Sequence, residues 1–383
     1  MIYLDNAATS GKKPETVYSA VNDALLNHCG NPGRAGHRIA RSAGQIVENA
    51  RMKCASLFGA ADTKEISFSF NCTDALNLAI HGLLRPGDHV ITSSLEHNSV
   101  ARPLEYLRSN GVEITVIPAD INTGADPEDI RRAFKKNTAL VAITHISNVT
   151  GTVNDIQAIG EVCKENEITF LVDAAQSAGN TPIDVQNMNI DILAFPGHKA
   201  LFGPQGTGGI YINKNIRLRP LKQGGTGSLS ESLEQPESIP DRYESGTLNV
   251  PGLAGLAAGI EFIMKTGIEK IHDKECALSE MLAAGLAEIE GLTVYTPAPG
   301  MRRGAVVSVT MDGIDPQDLA LLLDSEFDIA VRSGLHCAAY THRALKTDKC
   351  GGTVRFSPGY FTTEDDIRKC IEAMNIISRE VRL

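Results

Sequence analysis

With 383 residues, 42% of them hydrophobic and 21% charged, the chain is long enough for more than one core, most simply a large and a small domain. A formal net charge of −10, with no run of Lys and Arg able to neutralise a line of phosphates, argues against a nucleic-acid-binding protein. No apolar run approaches membrane-spanning length, and the start MIYLDNAATSGKKP lacks the basic and then apolar pattern of a signal peptide, so a cytoplasmic protein with no membrane association is expected.

From about residue 66 to 212, short β-rich runs alternate with amphipathic stretches. The runs include HVITSS (89–94), EITVIPA (113–119), ALVAITHI (139–146), ITFLVDAA (168–175) and DILAF (191–195), with helical patterns near 73–84, 98–109, 127–134 and 154–166. This alternation predicts an α/β fold: a mostly parallel sheet with helices on both faces, whose ligands bind beyond the carboxyl ends of the strands. The paired basic residues Arg131-Arg132 and Lys135-Lys136 read as a solvated helix face. A loop-rich stretch covers 222–247, of which 225–242 is the best candidate for a mobile loop, and VPGLAGLAAGIEFIMKTG (250–267) reads as a helix closing the large domain. Beyond it come a helix (about 273–290), strands TVYTP and AVVSVTM, a helix (about 316–324), strands IAVR and TVRFS, and a final helix (about 363–380). That order predicts a separate smaller α+β domain.

Eight cysteines, at 29, 54, 72, 163, 276, 337, 350 and 370, form no CxxC pair. Reduced, structural thiols are the expectation, and any one singled out for chemistry needs its own argument.

Polar residues with chemical potential recur where strands end. SFNCTDALN (69–77) leads from a strand into a helix beginning near Thr73, a helix start able to cradle a phosphate or simply an N-cap. It lacks the glycine pattern of a Walker or dinucleotide loop, which makes ATP and NAD poor candidates. His97 follows HVITSS and can stack on a planar cofactor or merely sit at a core edge. Asn148 follows ALVAITHI and is either a turn residue or part of a site. Asp173 ends ITFLVD, with Gln176 three residues on. A carboxylate there is costly to bury without a positive partner, which a protonated pyridine nitrogen would provide, unless it caps the next helix. Three neighbouring strands that each end in a polar side chain suggest convergence on one site.

Lys199, in FPGHKALFGPQGTGG (195–209), stands between a strand with a Pro-Gly turn and a glycine-rich segment. There its amine can form an imine with an aldehyde cofactor if burial keeps some of it neutral; the bland alternative is a solvated lysine. Cys337, in RSGLHCAAY, has Arg332 and His336 nearby in sequence as cations or potential cations that favour thiolate, against the reading of an inert small-domain cysteine. His336, Cys337, His342 and Cys350 match no standard zinc spacing, and no metal is expected. Arg355, in TVRFSPGY, suits a substrate carboxylate or a surface salt bridge.

Taken together, LDNAAT (4–9), NCTDALN (71–77), EHNS (96–99), HISNVTGT (145–152), DAAQS (173–177), GHKALFGPQGTG (197–208), YESGTLN (243–249), RSGLHCA (332–338) and TVRFSPGY (353–360) occur in an order that resembles the class V aminotransferase-like enzymes. Within them the chain is similar to the short-loop group of cysteine desulfurases and selenocysteine lyases. The resemblance implies the fold-type-I pyridoxal 5'-phosphate (PLP) architecture, with a large domain of residues 15–262 and a small one of 1–14 and 263–383. It implies that Lys199 carries the cofactor and moves protons at the substrate Cα, that Asp173 pairs with the pyridine nitrogen, that His97 stacks on the ring and takes part in catalysis, and that Gln176 bonds the phenolic oxygen. Cys72, Thr73 and His198 fall at the cofactor, with Gly246 and Thr247 reaching the neighbouring site of a homodimer. Asn148, Arg332 and Arg355 fall at the substrate, and Cys337 attacks its sulfur, leaving a persulfide and releasing alanine. L-Cysteine or L-selenocysteine is the implied substrate, with a sulfur-acceptor protein a further partner; an aminotransferase and a non-catalytic sulfur relay on the same fold remain as alternatives. Departures from the family pattern include Pro196 where many relatives carry a hydroxyl residue, Cys72 where Thr is common, and the stretch between Cys337 and Arg355 that adds Cys350, an idle thiol or a second sulfur acceptor.

Overall fold

The structure is a computed structural model that describes residues 1–33 and 36–381. Its main sheet has seven strands in the order Ile66–Ser69, Gly208–Ile212, Ile192–Pro196, Thr169–Asp173, Thr138–Thr144, His89–Ser93, Glu113–Ile117. The central strands are continuous apolar runs buried on both faces, such as Thr138–Thr144 and Ile192–Pro196, the pattern of a sheet covered by helices on either side. One face packs on helices Arg38–Phe58, Ile156–Glu165 and Val250–Thr266, the other on helices Cys72–Leu83 and Asn98–Arg108. From His89–Ser93 the chain pairs outward to Glu113–Ile117 and then returns to the other side with Thr138–Thr144. That reversal creates a crevice at the carboxyl ends of the strands, where ligands bind in such sheets.

The expected parallel sheet holds for every strand except Gly208–Ile212, which runs antiparallel to both neighbours. The sequence reading had no strand there, because the two leading glycines speak against one. They are required by packing: a Cβ on Gly209 would lie 2.5 Å from the Phe195 ring. Two helices also went unread, Glu15–Asn27 and Arg38–Phe58. The second buries Ala40, Ala43, Val47, Ala50, Cys54, Ala55 and Phe58 on one face together with Arg51, an amphipathic spacing that the sequence reading missed. Arg51 is accommodated by a bidentate pair with Glu244 at 2.8 and 2.9 Å and by the Ile66 carbonyl at 2.6 Å. Glu244 also accepts the Phe68 N–H at 2.6 Å, which ties the YESGTLN segment to the sheet edge.

The C-terminal layer is a four-stranded antiparallel sheet, Leu292–Tyr295, Val307–Met311, Thr353–Phe356, Arg332–Gly334. It packs with helices Ile268–Ala287, Pro316–Phe327 and Glu364–Val381 around a third core that includes Leu4. The helix expected from about 273 starts at Ile268, directly after Gly267, whose positive φ ends the preceding helix. The single strand expected at IAVR divides. Ile329–Ala330 pairs in parallel with Ile2–Tyr3, and Arg332–Gly334 pairs with Thr353–Phe356. A short helix, Ala339–Leu345, also unread, follows the cysteine turn.

Gly352 holds that turn in register. Its φ is +99° and a Cβ would lie 2.1 Å from the Gly334 carbonyl oxygen. Gly352→Ala combines a strained φ with overpacking, each worth about 1–3 kcal/mol. A loss of roughly 2–4 kcal/mol is expected from the denaturant midpoint at constant slope.

Candidate active site

Three adjacent strands bring their carboxyl ends together. His89–Ser93 leads to His97, Thr138–Thr144 to Asn148, and Thr169–Asp173 ends on Asp173 itself. Beyond them opens a cleft of about 200 Å³ lined by Cys72, Thr73, His97, Asn148, Asp173, Gln176, His198, Lys199, Arg332 and Arg355. Residues scattered over nearly three hundred positions of sequence therefore share one cavity.

Lys199 lies on the cleft wall beyond Ile192–Pro196. Burial pushes its ammonium below the usual lysine range, with Asp173 opposing. Asp173 is buried, and its Oδ1 accepts the Ala175 N–H at 2.8 Å and the Cys72 thiol at 3.4 Å. Burial raises its pKa while Lys199 and these donors pull the other way. Such a carboxylate is best stabilised as an anion by a cation bound in the cleft. Cys72 is itself held in the thiol form by burial beside Asp173, so it serves here as a donor.

His97 caps the helix Asn98–Arg108. Its Nδ1 accepts the Ser99 N–H at 3.0 Å and lies 2.9 Å from Ser99 Oγ. Burial first, then Lys199, Arg332, Arg355 and Arg102, push its pKa down to about 4. The ring is neutral near pH 7 and carries its proton on Nε2. Thr73 lies in the first turn of helix Cys72–Leu83, capped by Asn71, and its hydroxyl is 2.8 Å from Ser99 Oγ.

Arg355 is buried. It donates to Asp5 Oδ1 at 2.8 Å and to the Asn148 carbonyl at 3.1 Å, while its Nε has no partner. Asn148 Nδ2 donates to the His336 carbonyl at 2.8 Å, which joins the cleft to the cysteine turn. In that turn His336 and Cys337 both adopt left-handed φ, +46° and +56°, sparsely populated for residues with side chains. The Cys337 carbonyl accepts the Asn98 N–H at 2.6 Å, so the turn rests on the helix that His97 caps. The thiol is exposed, on an open groove shared with Thr73 and His97, and Arg332 Nη2 lies 3.8 Å from its Sγ. The expectation that His336 helps as a cation is corrected. The ring is buried, its Nε2 lies 3.1 Å from both the Thr353 carbonyl and hydroxyl, and burial beside Arg355 pushes its pKa down to about 2. Arg332 is thus the cation nearest Cys337 in that turn.

Gln176 donates from Nε2 to the Ala7 carbonyl at 3.0 Å, and His198 pairs through Nδ1 with Thr9 Oγ1 at 3.1 Å; burial and two lysines push the His198 pKa down to about 4. Gly246 and Thr247 do not reach this cleft. Both are exposed, and Thr247 lies beside a separate depression with Phe70, Asp74 and Leu221.

The sequence reading passed over Asp5, Ser99 and Glu96. Glu96 is fully buried, its Oε1 accepts Ser93 Oγ at 2.6 Å and the Thr144 N–H at 3.0 Å, and its Oε2 has no partner. Its place in EHNS was the only signal. Burial raises its pKa to about 8, so it folds protonated. An unfolded Glu is ionised above about pH 5, so between there and about pH 8 the folded chain binds the extra proton and stability falls as pH rises. The buried histidines act in the opposite sense but below about pH 6.5, and Glu275, raised to about 7, is mostly ionised at the top of the range. From pH 6.5 to 7.5, below the range in which unfolded thiols ionise, urea midpoints are expected to decline in the wild type and to decline less steeply in Glu96→Gln.

The aminotransferase class-V family model matches residues 2–370. A probable cysteine desulfurase of Methanothermobacter thermautotrophicus is 36% identical, over 98% of this chain and 94% of that protein. Cysteine desulfurase IscS of Vibrio campbellii is 34% identical, over 100% of this chain and 93% of its own length. Among solved structures, the apo cysteine desulfurase of Thermococcus onnurineus superposes with a TM-score of 0.93 at 33% identity, covering 99% of this chain and 95% of the other. The cysteine desulfurase CsdA of Escherichia coli gives 0.88 at 28%, covering 99% and 94%.

Proposed function

We propose that this chain, which belongs to the aminotransferase class-V family, is a PLP-dependent cysteine desulfurase that converts L-cysteine to L-alanine and keeps the sulfur as a persulfide on Cys337. The observation that carries the reading is an exposed thiol, Cys337, on a groove that shares Thr73, His97 and Ser99 with the cleft holding Lys199 and Asp173. An aminotransferase has no use for that thiol.

The residues of the cleft fit the cofactor. Asp173 is a buried carboxylate suited to a pyridinium nitrogen, Lys199 has an amine made more available by burial, and the start of helix Cys72–Leu83 offers N–H groups and the Thr73 hydroxyl to a phosphate. When bound, PLP supplies an electron sink conjugated with the substrate Cα.

The chain's own residues do the rest. Arg355, with its Nε free of protein partners, and Asn148 hold the substrate carboxylate. Neutral His97 holds a proton on Nε2; with the cofactor bound, His97 would cover the ring, Gln176 would bond the phenolic oxygen and His198 would assist at the phosphate. Lys199 Nζ moves the proton at Cα. Cys337 Sγ attacks the substrate sulfur: the S–S bond forms, the Cβ–S bond breaks, and Cβ gains a proton to complete alanine. Arg332 places a guanidinium 3.8 Å from the attacking Sγ.

We assign a homodimer in which exposed Thr247 and Gly246 complete the neighbouring site, and a cytoplasmic location in which an acceptor thiol takes the persulfide toward iron–sulfur clusters or other thio-cofactors. Among the described residues no helix is long and apolar enough to cross a membrane. The test is stoichiometric. With L-cysteine and a reductant, alanine and sulfide are expected in equal amounts; amino transfer to a 2-oxo acid, with no sulfide, would replace this reading by the aminotransferase.

A further inference from the structure

The contacts that fix His97 contain a hydroxyl that no step above uses. Ser99 is buried, its side chain lines the cleft, and its Oγ stands between two partners: His97 Nδ1 at 2.9 Å and Thr73 Oγ1 at 2.8 Å. Its backbone N–H also donates to His97 Nδ1, at 3.0 Å.

Each hydroxyl has one proton, so the chain of three groups has two arrangements. In the first, Thr73 donates to Ser99 and Ser99 donates to His97 Nδ1. In the second, Ser99 donates to Thr73, and the Thr73 proton is free for an anion in the cleft. His97 Nδ1 then keeps only the backbone N–H.

We propose that Ser99 is a positioning residue that couples anion occupancy at Thr73 to the basicity of His97. An anion that accepts from Thr73 selects the second arrangement and withdraws the hydroxyl donor from Nδ1. A donor to Nδ1 favours the neutral ring, so its withdrawal makes His97 easier to protonate. The cofactor phosphate would thereby prepare the histidine that covers the ring. The charged groups facing His97 are Lys199 from the main sheet, Arg332 and Arg355 from the C-terminal sheet, and Arg102 from its own helix. All are cations that oppose protonation, which leaves the hydroxyl as the adjustable neutral contact. The identity of the anion rests on the cofactor proposed above, whereas the hydroxyl contact does not.

The experiment uses protein with ¹⁵N-labelled histidine, as purified and after removal of small molecules, without and with inorganic phosphate. Loss of a signal in His97→Gln assigns His97. Without phosphate, the Nδ1 resonance of Ser99→Ala should move toward that of an unbonded ring nitrogen, and its protonation midpoint should fall by about half to one pH unit, because the imidazolium loses the hydroxyl oxygen that would accept its Nδ1 proton. Ser99→Thr should restore both. Phosphate should raise the wild-type midpoint more than that of Ser99→Ala, because only the wild type has a hydroxyl donor to withdraw. Identical Nδ1 resonances in wild type and Ser99→Ala, or equal phosphate responses, would overturn the proposal. If the phosphate-free differences appear while pyridoxal phosphate leaves His97 unmoved in protein stripped of small molecules, the cofactor assignment fails and the hydroxyl contact stands.

Discussion

Replacement of Lys199 by alanine is expected to lower turnover of L-cysteine by at least roughly 10³–10⁴-fold and to abolish the visible absorption of covalently held cofactor. The effect is large because Lys199 has two roles, attachment of the aldehyde and proton transfer at Cα. Among the described residues, no second lysine lines the main cleft. Lys13, the other lysine in the neighbourhood with a lowered pKa, about 8, is held by Ser10 Oγ at 2.7 Å and does not line that cleft. The fold should be indifferent to the change, since relief of the cost of burying the Lys199 charge is offset by the loss of its attraction to Asp173. Equal thermal midpoints for the cofactor-free wild type and Lys199→Ala would separate this catalytic loss from unfolding. Retained turnover in Lys199→Ala would remove the basis for assigning the cofactor to this cleft.

The second large effect belongs to Cys337→Ala. Desulfuration of L-cysteine is expected to fall by at least roughly 10²–10³-fold, because the sulfur then has no nucleophile to receive it. L-Selenocysteine turnover should fall far less, since selenium leaves more readily without nucleophilic assistance. Loss of the thiol should leave the cofactor spectrum intact, which distinguishes Cys337 from Lys199. Arg332→Ala should show a smaller loss, since it removes the guanidinium 3.8 Å from the attacking sulfur but not the sulfur itself.

Much of the cleft was legible because its residues sit where apolar runs stop. His97, Asn148 and Lys199 follow buried strands and Asp173 ends one, but His89–Ser93 lies beside Thr138–Thr144 only because Glu113–Ile117 is sent to the sheet edge, a reversal that the alternation of strand and helix does not give. The antiparallel return at Gly208–Ile212 was hidden by glycines that the Phe195 ring demands, whereas helix Arg38–Phe58 shows its buried face in its apolar spacing, interrupted by the ion-paired Arg51. The neutrality of His336 was illegible for a different reason. It depends on Thr353 and on two arginines that are near in space only after the C-terminal sheet has formed. Ser99 and Glu96 belonged to the motif that drew attention to His97, yet only the structure shows that one bridges the Thr73 hydroxyl and the His97 ring and the other is a buried protonated acid. Cys337 carried little signal by itself; its meaning came from the resemblance and from the cleft that its turn adjoins.

The central claim, that sulfur passes from the substrate to Cys337, is tested most directly by mass spectrometry of the protein after brief incubation with L-cysteine and no reductant. The account predicts one added sulfur on the peptide containing Cys337 and an equal amount of alanine, neither of them formed by Cys337→Ala. Alanine formation that persists in Cys337→Ala, or added sulfur found on Cys350 with Cys337 unmodified, would contradict it.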